Sequence, residues 1–459
     1  MGDATEIHNF SENFYKLSDV LYCERLPVRS IQHELEQSSP VPTPFYLFSK
    51  RQIIRNIEAY KEPLQRYGIN HLLGYAIKAN YNPSVLQIMK ENGCTAVTVS
   101  GLELQLALHL GFPAENIILN GTGKETREIS LAVENGCMLN IDSIFDLSNV
   151  ITVAKTKEKT ARVILRINPD IDTHVHPFLA TGLAASKFGI EQTYLNDALA
   201  LIKKEPDVIK LVGLHCHLGS TIKRIEVFKE CAEVMLKLID YVRKQGFDDI
   251  KYLNLGGGLG IDYEQQEERT TFRDDSGVSA KRTKIEPVPV PGDLIEAIQS
   301  LVKEADDLCL ILEPGRSLVG NSCILVARVL GVKNNGKTRF IVTNASMNEV
   351  IRPCLYSAYH HIELVEPPVD HTVKQVYDIV GPVCECADFI GKNRYLPTPD
   401  KDSSIAVFDV GAYCASMGSN YNMRVKPAEI LVDGDKWKFI RKADTYKDII
   451  APFMLDGFA

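Results

Sequence analysis

The sequence has no long hydrophobic run. None of its apolar stretches approaches the ~18 residues that a membrane-spanning helix requires. Its first residues, Met1 to Glu6, are acidic and lack the basic and apolar regions of a signal peptide. They also lack the Arg- and Ser-rich, acid-poor character of an organelle transit peptide. We therefore expect a cytoplasmic protein with no membrane partner.

The sequence also lacks an excess of positive charge and an organised set of cysteines. Its net charge of -8 argues against non-specific binding of nucleic acid. The 11 cysteines are scattered and odd in number, which is typical of reduced intracellular thiols. Cys384 and Cys386 are too close for a disulfide framework, and no second pair at zinc spacing accompanies them. We expect neither disulfides nor a metal site.

The hydrophobic pattern after residue 45 alternates short apolar runs with helical stretches of about 10–20 residues, as βα units require. The runs are Leu72–Ile77, Ala96–Val99, Ile117–Leu119, Met138–Ile141, Val163–Ile167, Leu211–His215, Tyr252–Leu255 and Leu308–Leu312. Eight strands, each followed by a helix, predict a (β/α)8 barrel of the TIM type. Polar and glycine residues follow the runs, and barrel enzymes keep their sites at these C-terminal strand ends.

The rhythm changes after Leu312, where apolar runs follow one another without long helices between them. This pattern is typical of a β domain. We predict a barrel over residues 45–312 and a C-terminal β domain over residues 313–459, joined by the N-terminal residues 1–44. A charged insertion over residues 264–285 is predicted to be a mobile surface loop.

Lys78 directly follows the first run and precedes Asn80 and Pro83, which indicate a loop. A lysine at the end of a buried strand is costly unless it is paired, exposed at a rim or neutralised. A lysine with a lowered pKa is a nucleophile, and Schiff-base formation with pyridoxal phosphate is its commonest use. The alternative is a strand-end lysine whose ammonium group lies in water.

A glycine-rich turn, Gly256–Gly260, follows the seventh run. Glycines let backbone N–H groups approach a phosphate, and barrels often bind phosphate near strands seven and eight. The alternative is a tight βα connection. At the end of the sixth run, His215 and His217 point the same way by strand alternation. One of them could stack on an aromatic cofactor, and Ser220 could bond a phosphate. Metal binding is the rival, but no third ligand of clear spacing lies nearby.

The turn Glu313-Pro314-Gly315-Arg316 follows the eighth run. A carboxylate facing a pyridine nitrogen would keep that nitrogen protonated and make the ring a strong electron sink. The arginine could bind a carboxylate or phosphate through two hydrogen bonds. The alternative is a capped turn with a surface ion pair.

Together these segments resemble the fold-type III pyridoxal-phosphate decarboxylases, and within them the diaminopimelate decarboxylases, along almost the entire chain. The segments that carry the resemblance are Tyr75–Asn80, Ser186–Gly189, His215–Ser220, Gly256–Gly260, Glu313–Arg316, Arg352–Tyr356, Gly381–Glu385 and Gly411–Tyr413. The resemblance implies an alanine racemase-like barrel, pyridoxal 5'-phosphate as the cofactor, and decarboxylation of meso-2,6-diaminoheptanedioate to L-lysine.

For the cofactor, the resemblance implies a Schiff base with Lys78, stacking by His217, and pairing of Glu313 with the pyridine nitrogen. It implies further cofactor contacts for Ser220, Gly258, Gly315, Arg316 and Tyr413.

For the substrate, the resemblance implies that Arg316, Arg352 and Tyr356 hold the distal carboxylate. It also implies that Glu385 reads the distal amino group, that Cys384 donates a proton to the carbanion, and that Tyr413 reaches the substrate. In the family, the residues that match Cys384 and Glu385 act in the site of the other subunit, so a homodimer with shared active sites is implied.

Two positions depart from the family pattern. Cys386 stands where the family usually has serine, and Asn344 stands where it usually has aspartate. Because a thiol is the weaker hydrogen-bonding group, the identity of the substrate stays open at this point. One alternative is a sister decarboxylase acting on another amino acid with a distal acidic or amide group, as in siderophore or antibiotic pathways.

Two further alternatives share the fold. A non-catalytic regulator is disfavoured because both Lys78 and Cys384 are present. An alanine racemase is disfavoured because racemases of this fold place an arginine at the pyridine nitrogen, where this chain has Glu313.

Overall fold

Eight parallel strands close into a barrel in the computed structural model, whose described residues are 7–38, 42–172, 186–264, 271–273, 279–281, 288–369 and 374–453. The strands are β1 (His71–Ala76), β2 (Thr95–Thr98), β3 (Ile118–Leu119), β4 (Met138–Ile141), β5 (Ala161–Asn168), β6 (Ile209–His215), β7 (Tyr252–Asn254) and β8 (Cys309–Leu312). Each strand pairs in parallel with the next, and β8 pairs with β1. The predicted barrel is confirmed, since every predicted run overlaps one of its strands.

Helices alternate with these strands, and their N-termini carry clear local signals. The side chain of Asn82 accepts a hydrogen bond from the backbone N–H of Ser84, and a proline opens that helix. Ser100 and Ser143 cap two further helices in the same way. The helices are Lys50–Arg66, Pro83–Glu91, Gly101–His109, Thr126–Asn135, Ile144–Lys157, Leu195–Lys203, Glu226–Lys244, Pro291–Glu304 and Arg316–Val319.

The middle of the barrel is filled by side chains. A buried cluster contains Val97, Ile118, Met138, Ile164, Val212 and Ile311, with Leu72 and Tyr252 packed against it. Each of these residues comes from a different barrel strand, as expected for a packed interior layer. Because the interior is occupied by apolar atoms, chemistry in this unit is confined to the ends of the strands.

The second unit is built mainly from β-sheet. Its larger sheet has the order Phe389–Pro397, Lys374–Val380, Thr338–Thr343, Cys323–Asn335, Phe45–Ser49, Ala428–Asp433 and Lys436–Arg441. Ser404–Val407 joins it beside Cys323–Asn335 and pairs with Ile362–Leu364. A smaller antiparallel sheet contains Ile7–Asn9, Phe14–Leu17, Val20–Cys23 and Leu26–Pro27. Its short helices include Val28–Ser38, Arg352–Tyr356 and Tyr446–Ile450.

The observed division of the chain differs in detail from the predicted domains. The barrel unit holds residues 54–261 and 288–318, and the second unit holds residues 1–53, 262–287 and 319–459. The strand Phe45–Ser49 belongs to the second unit because it pairs with Cys323–Asn335 and with Ala428–Asp433. Most of the charged insertion 264–285 lies outside the described residues.

The second unit contains a buried carboxyl group, Glu349, whose pKa lies above the ordinary value. Burial raises the pKa of Glu349 to about 7, although hydrogen bonds from Ser346 oppose that shift. Because the folded state holds the proton more tightly than the unfolded chain, stability should fall as the pH rises from about 4.5 to 7.

We therefore expect Glu349→Gln to flatten this pH dependence and to stabilise the protein at pH 8 by up to about 3 kcal/mol. A glutamine amide stays neutral and can still accept the N–H of Ser346, which now donates to the carboxyl group at 2.8 Å. Denaturant unfolding of both proteins at pH 5 and pH 8 measures the effect. The exposed Glu115→Gln variant is the control. An equal change in the free energy of unfolding between pH 5 and pH 8 in the parent and in Glu349→Gln would contradict the prediction.

Candidate active site

Lys78 lies on a short 3₁₀ turn, Ile77–Ala79, that begins one residue after β1 ends at Ala76. The strand thus begins and ends one residue earlier than predicted. The hydroxyl of Tyr75 donates to the carbonyl of Asn80 at 2.9 Å and ties the turn to the strand. Lys78 is exposed while both of its neighbours in the turn are buried. The amine is therefore held at the mouth of the barrel by a fixed backbone.

The turn Glu313–Arg316 packs directly against the turn that carries Lys78. The N–H of Ala76 donates to the carbonyl of Pro314 at 3.1 Å. A Cβ atom at Gly315 would lie 3.0 Å from the Cβ of Ala79. Glycine is therefore needed at this position for the close approach of the first and last strand ends of the barrel.

Glu313 is a buried carboxylate surrounded by hydrogen-bond donors. Only 7% of the residue is exposed. The amide of Asn254 donates to Oε1 at 2.7 Å, and the amide of Asn120 donates to Oε2 at 3.1 Å. Nε2 of His215 lies 3.5 Å from Oε2. This environment excludes the alternative of a surface ion pair for Glu313.

The surroundings of Glu313 favour its ionised form. Burial alone would raise its pKa, but His215, Asn254 and His217 outweigh burial and lower the pKa to about 2. Burial also lowers the pKa of His215, and the carboxylate opposes that shift. At neutral pH the imidazole is therefore neutral, and N–H dipoles stabilise the carboxylate.

The glycine loop is tightly packed, and its N–H groups differ in availability. The N–H of Gly256 donates to Oδ1 of Asn254 at 2.8 Å, and that of Gly257 donates to Nδ1 of His217 at 3.1 Å. The N–H of Gly258 has no hydrogen-bond partner among the described residues. A Cβ at Gly258, whose φ is +113°, would collide with a backbone carbonyl. The connection is therefore tight, and binding of a phosphate by the N–H of Gly258 stays a prediction.

His217 is neutral in this environment. Burial first, and then the charges of Lys78 and Arg166, keep its pKa well below the ordinary value. Its Nδ1 accepts the N–H of Gly257, so a proton on the ring belongs on Nε2. A neutral ring that is fixed by a backbone N–H suits stacking on an aromatic ligand.

Ser220 and Arg316 form a second polar pair at the strand ends. Nη2 and Nε of Arg316 donate to Oγ of Ser220 at 3.0 and 3.3 Å. The arginine is 5% exposed. A hydroxyl that already accepts two bonds from a guanidinium turns its own proton outward, where an anion could accept it. The structure thus brings together Lys78, His217, Ser220, Gly258, Glu313, Gly315 and Arg316 in the barrel unit.

Several polar residues of this unit went unnoticed as site residues in the sequence. Asn140 and Asn254 lie inside β4 and β7, and both are at most 1% exposed. Arg166 in β5 is buried, lies 3.4 Å from Asp142, and covers the ring of Phe188 at 4.6 Å. The signal in the sequence was a polar residue within an apolar run, since a buried amide or guanidinium needs partners.

Arg352 in the second unit is a buried arginine held on two sides. It is 3% exposed, and its Nη1 donates to Nε2 of His360 at 2.7 Å. Its guanidinium lies 4.4 Å from the centroid of the Tyr263 ring. Nδ1 of His360 lies 2.8 Å from the carbonyl of Phe408, so this nitrogen carries the ring proton. Tyr356 ends the same helix and is half-buried.

Cys384 and Glu385 lie on an exposed loop of the second unit. The carboxylate of Asp388 accepts the N–H of Val383 at 2.7 Å and fixes one side of this loop. The side chain of Asn422 accepts the N–H of Cys384 at 2.8 Å and fixes the other side. The thiol and the carboxylate are therefore presented to solvent on an anchored backbone.

The two departures from the family pattern have different surroundings. Asn344 donates to the carbonyl of Thr43 at 3.0 Å, and its Oδ1 accepts the N–H of Arg328 at 2.8 Å. An aspartate could accept the second bond but could not donate the first, so asparagine has a structural reason here. Cys386 is exposed on the same loop as Cys384.

Tyr413 has a left-handed backbone with φ of +58°. It follows Gly411, whose N–H donates to the carbonyl of Gly320 at 3.0 Å. A Cβ at Gly411 would collide with the carbonyl of Val319. The predicted segment Gly411–Tyr413 is therefore shaped by close backbone packing within the second unit.

The structure adds three observations on the broader predictions. Within the described parts of the chain, no group of three or more His, Cys, Asp or Glu residues could hold a metal ion. All 11 cysteines are free thiols. None of the described helices has both the length and the hydropathy to cross a bilayer.

Comparison with known proteins defines the class first. Residues 50–320 match the pyridoxal-binding domain of the pyridoxal-dependent decarboxylases. This match covers the barrel and every polar strand end described above.

Full-length relatives then give the particular family. The chain is 48% identical over 434 residues to a probable chloroplastic diaminopimelate decarboxylase of Oryza sativa subsp. japonica, covering 94% of this chain and 83% of the relative. It is 38% identical to the diaminopimelate decarboxylase of Aquifex aeolicus, covering 89% of this chain and 91% of the relative. The diaminopimelate decarboxylase of Helicobacter pylori, solved with L-lysine, superposes with a TM-score of 0.79 at 33% identity, covering 92% and 98% of the two chains. The chain belongs to the diaminopimelate decarboxylase family of pyridoxal-dependent decarboxylases.

The barrel site fits the cofactor of this class on its own chemistry. Glu313 is an ionised acceptor for a protonated ring nitrogen, and the Gly258 N–H and the Ser220 hydroxyl are donors for a phosphate. Lys78 supplies an exposed amine, and His217 supplies a neutral ring. These groups meet the three needs of pyridoxal phosphate: an anion site, a partner for the ring nitrogen, and an amine for covalent attachment.

Proposed function

We propose that this protein is a pyridoxal 5'-phosphate-dependent carboxy-lyase that converts meso-2,6-diaminoheptanedioate to L-lysine and CO2. Family membership supports this proposal over nearly the whole chain. The observation that carries it is the buried, ionised Glu313 at the end of β8. An arginine at this position would limit electron withdrawal, whereas a carboxylate keeps the ring nitrogen protonated and favours loss of CO2.

The chain's own residues hold the cofactor in this proposal. Lys78 supplies the amine for its attachment, His217 covers one face of its ring, and Glu313 accepts the proton of its ring nitrogen. The phosphate is held by Ser220, Gly258, Gly315 and Arg316, and Tyr413 reaches the cofactor as well. When bound, pyridoxal phosphate supplies an electron sink for the pair of electrons left by the departing carboxylate.

The substrate is oriented by charge at its far end. We assign its distal carboxylate to Arg316, Arg352 and Tyr356, and its distal ammonium to Glu385. Tyr413 also reaches the substrate. Of these groups, the guanidinium of Arg352 is the best supported, because His360 and Tyr263 fix its direction. A fixed guanidinium loses little conformational entropy when it binds a carboxylate.

Cys384 delivers the final proton. After CO2 has left, the α-carbon carries a pair of electrons and takes a proton from the thiol of Cys384, which becomes a thiolate. The exposed position of this thiol on an anchored loop supports the role. The thiolate then recovers a proton from solvent, so that thiol, substrate and product balance over one turnover.

One assay tests the proposed reaction against its rivals. We expect CO2 release from diaminopimelate to exceed release from lysine, ornithine and arginine measured side by side. A sister decarboxylase would prefer an amino acid with another distal acidic or amide group, and the exposed Cys386 is the feature that favours testing it. A non-catalytic regulator would release CO2 from none of them.

Assembly as a homodimer with shared sites is part of the proposal. It is supported by the exposure of Cys384 and Glu385, which leaves both side chains available to a second copy of the chain. Mixing inactive Lys78→Ala with inactive Cys384→Ala should restore about a quarter of the full activity. Half of the randomly mixed dimers are hybrids, and each hybrid has one intact site of two.

The matched control for this mixing experiment is Lys78→Ala mixed with a second variant that is also changed on the barrel, Glu313→Ala. These two changes belong to one site, so this pair should recover nothing. Absence of recovery in the Lys78 and Cys384 mixture, despite proven subunit exchange, would mean that both residues serve the site of one subunit.

We propose a cytoplasmic location on the basis of the free thiols. The rice relative is described as chloroplastic, which makes an organelle the rival location. Fractionation of cells that produce the full chain distinguishes the two.

A further inference from the structure

His215 is a buried histidine that the proposed reaction does not use. It ends β6, is 1% exposed, and lies two residues before His217. Its Nδ1 lies 2.7 Å from the amide nitrogen of Asn140 on β4, and its Nε2 lies 3.5 Å from Glu313. Two strands that are not neighbours in the barrel thus meet through this imidazole.

These polar side chains surround the carboxylate as a ring, in which the 3.5 Å approach of His215 Nε2 to Glu313 is an electrostatic contact and not a hydrogen bond. Asn140 donates to Oδ1 of Asn120, and Asn120 in turn donates to Glu313 at 3.1 Å. Asn254 donates to the other carboxylate oxygen at 2.7 Å. All five side chains are at most 7% exposed, so solvent cannot replace any of the bonds.

The carboxylate sets the direction of every bond in the ring. An ionised Glu313 only accepts, so Asn120 must donate through its amide nitrogen and accept through Oδ1. Asn140 must then donate to Asn120, and the same amide nitrogen donates to Nδ1 of His215. Nδ1 of the imidazole is therefore an acceptor, and its proton lies on Nε2, facing Glu313.

We propose that Asn140 and His215 are positioning residues which, together with Asn120 and Asn254, hold the carboxylate of Glu313 in place for the ring nitrogen of the cofactor. The inference rests on the proposed function for the role of Glu313. The two histidines of the segment His215-Cys216-His217 thus have different roles. His217 faces the cofactor, and His215 positions the carboxylate of Glu313.

A purely structural role for the ring is the rival explanation. Burial favours a protonated, neutral Glu313, and the ring of donors is what opposes it. Three other charged or titratable groups act on Glu313 or on His215. They are His217, Arg166 and Asp142. Loss of donors should therefore move the titration of Glu313 upward, whereas loss of packing alone should change stability and leave that titration unchanged.

The test uses the cofactor-free full chain, with the Glu313 carboxyl carbon followed by ¹³C NMR and assigned with Glu313→Gln. In the parent protein we expect Glu313 to stay ionised from pH 4 to pH 8. In Asn140→Leu and His215→Phe we expect it to titrate within that range. Thr98→Val is the control, since Thr98 is a buried side chain on β2 that bonds a backbone carbonyl. In Thr98→Val, Glu313 should titrate as in the parent.

Kinetics of the loaded enzyme give the second measurement. We expect kcat to fall by roughly 10–100-fold in Asn140→Leu and His215→Phe, with KM nearly unchanged. Losses of this size are typical when a residue that orients a ligand-binding side chain is removed. His215→Gln, which can still donate to the carboxylate, should recover part of kcat. Folded variants whose Glu313 remains ionised and whose kcat is unchanged would overturn the proposal.

A measurement on the parent protein covers the case in which the variants do not fold. ¹⁵N NMR of His215 should show the proton on Nε2 and none on Nδ1. The opposite tautomer would overturn the proposed ring. Because the NMR experiments need neither cofactor nor substrate, they can succeed or fail independently of diaminopimelate decarboxylation.

Discussion

Lys78→Ala should lower CO2 release from diaminopimelate by roughly a thousandfold or more, because it removes the nucleophilic amine at the barrel mouth. The structure holds this amine on the turn Ile77–Ala79, which packs against the turn that contains Gly315. No nearby lysine is available on that turn to replace it. The loss should therefore be chemical and should leave folding intact, since the side chain is exposed.

Covalent labelling separates this loss from a general defect. Borohydride treatment of the parent should fix the cofactor to the peptide that contains Lys78, and mass spectrometry identifies the peptide. Lys204→Ala removes an exposed lysine elsewhere in the barrel unit and should behave as the parent does. A Lys78→Ala protein that still carries a reducible covalent cofactor would show that Lys78 is not the residue that binds the cofactor covalently.

Arg352→Ala should lower kcat/KM for diaminopimelate far more than for lysine. Diaminopimelate has a carboxylate at its far end, and lysine has none. Loss of a charged partner in a closed site typically costs roughly 2–5 kcal/mol, which is a factor of about 30 to several thousand in specificity. The parent should have a much higher kcat/KM for diaminopimelate than for lysine. Arg352→Ala should reduce the ratio of these two values.

Steady-state kinetics on both substrates measures the change, with Arg328→Ala as the matched control. Arg328 is a partly exposed arginine of the same unit, 3.7 Å from Asp402, and its removal should leave the preference intact. Comparable kcat/KM for lysine and diaminopimelate in the parent would show that the assignment of a distal carboxylate is wrong. Feeble activity that rises in Cys386→Ser would instead identify Cys386 as the altered position.

The strands of the barrel could be predicted because each is buried on both faces. Parallel strands inside a ring of helices are near-continuous apolar runs, and such runs are visible in a single sequence. Met138–Ile141 was predicted with its observed bounds, and the other strands differ by a few residues. Strand ends depend on individual hydrogen bonds, so β1 stops at Ala76 although Ile77 continues the apolar run.

The boundaries between the two units were harder to predict from the sequence, for a related reason. Phe45–Ser49 is as apolar as a barrel strand, with all five residues buried. Nothing in its composition distinguishes a strand of one sheet from a strand of another. Its place beside Cys323–Asn335 and Ala428–Asp433 depends on pairing with segments far along the chain.

The sequence by itself determined the barrel, the family and the residue types at the strand ends, since these follow from periodicity and from short contiguous motifs. Only the tertiary structure decided how Glu313 is kept ionised and how Arg352 is held. Asn120 and Glu313 are 193 residues apart in the chain, and Asn140 and His215 are 75 apart. Hydrogen bonds between such residues depend on side-chain directions and on distances within a few tenths of an ångström, which a one-dimensional pattern of residue types does not specify.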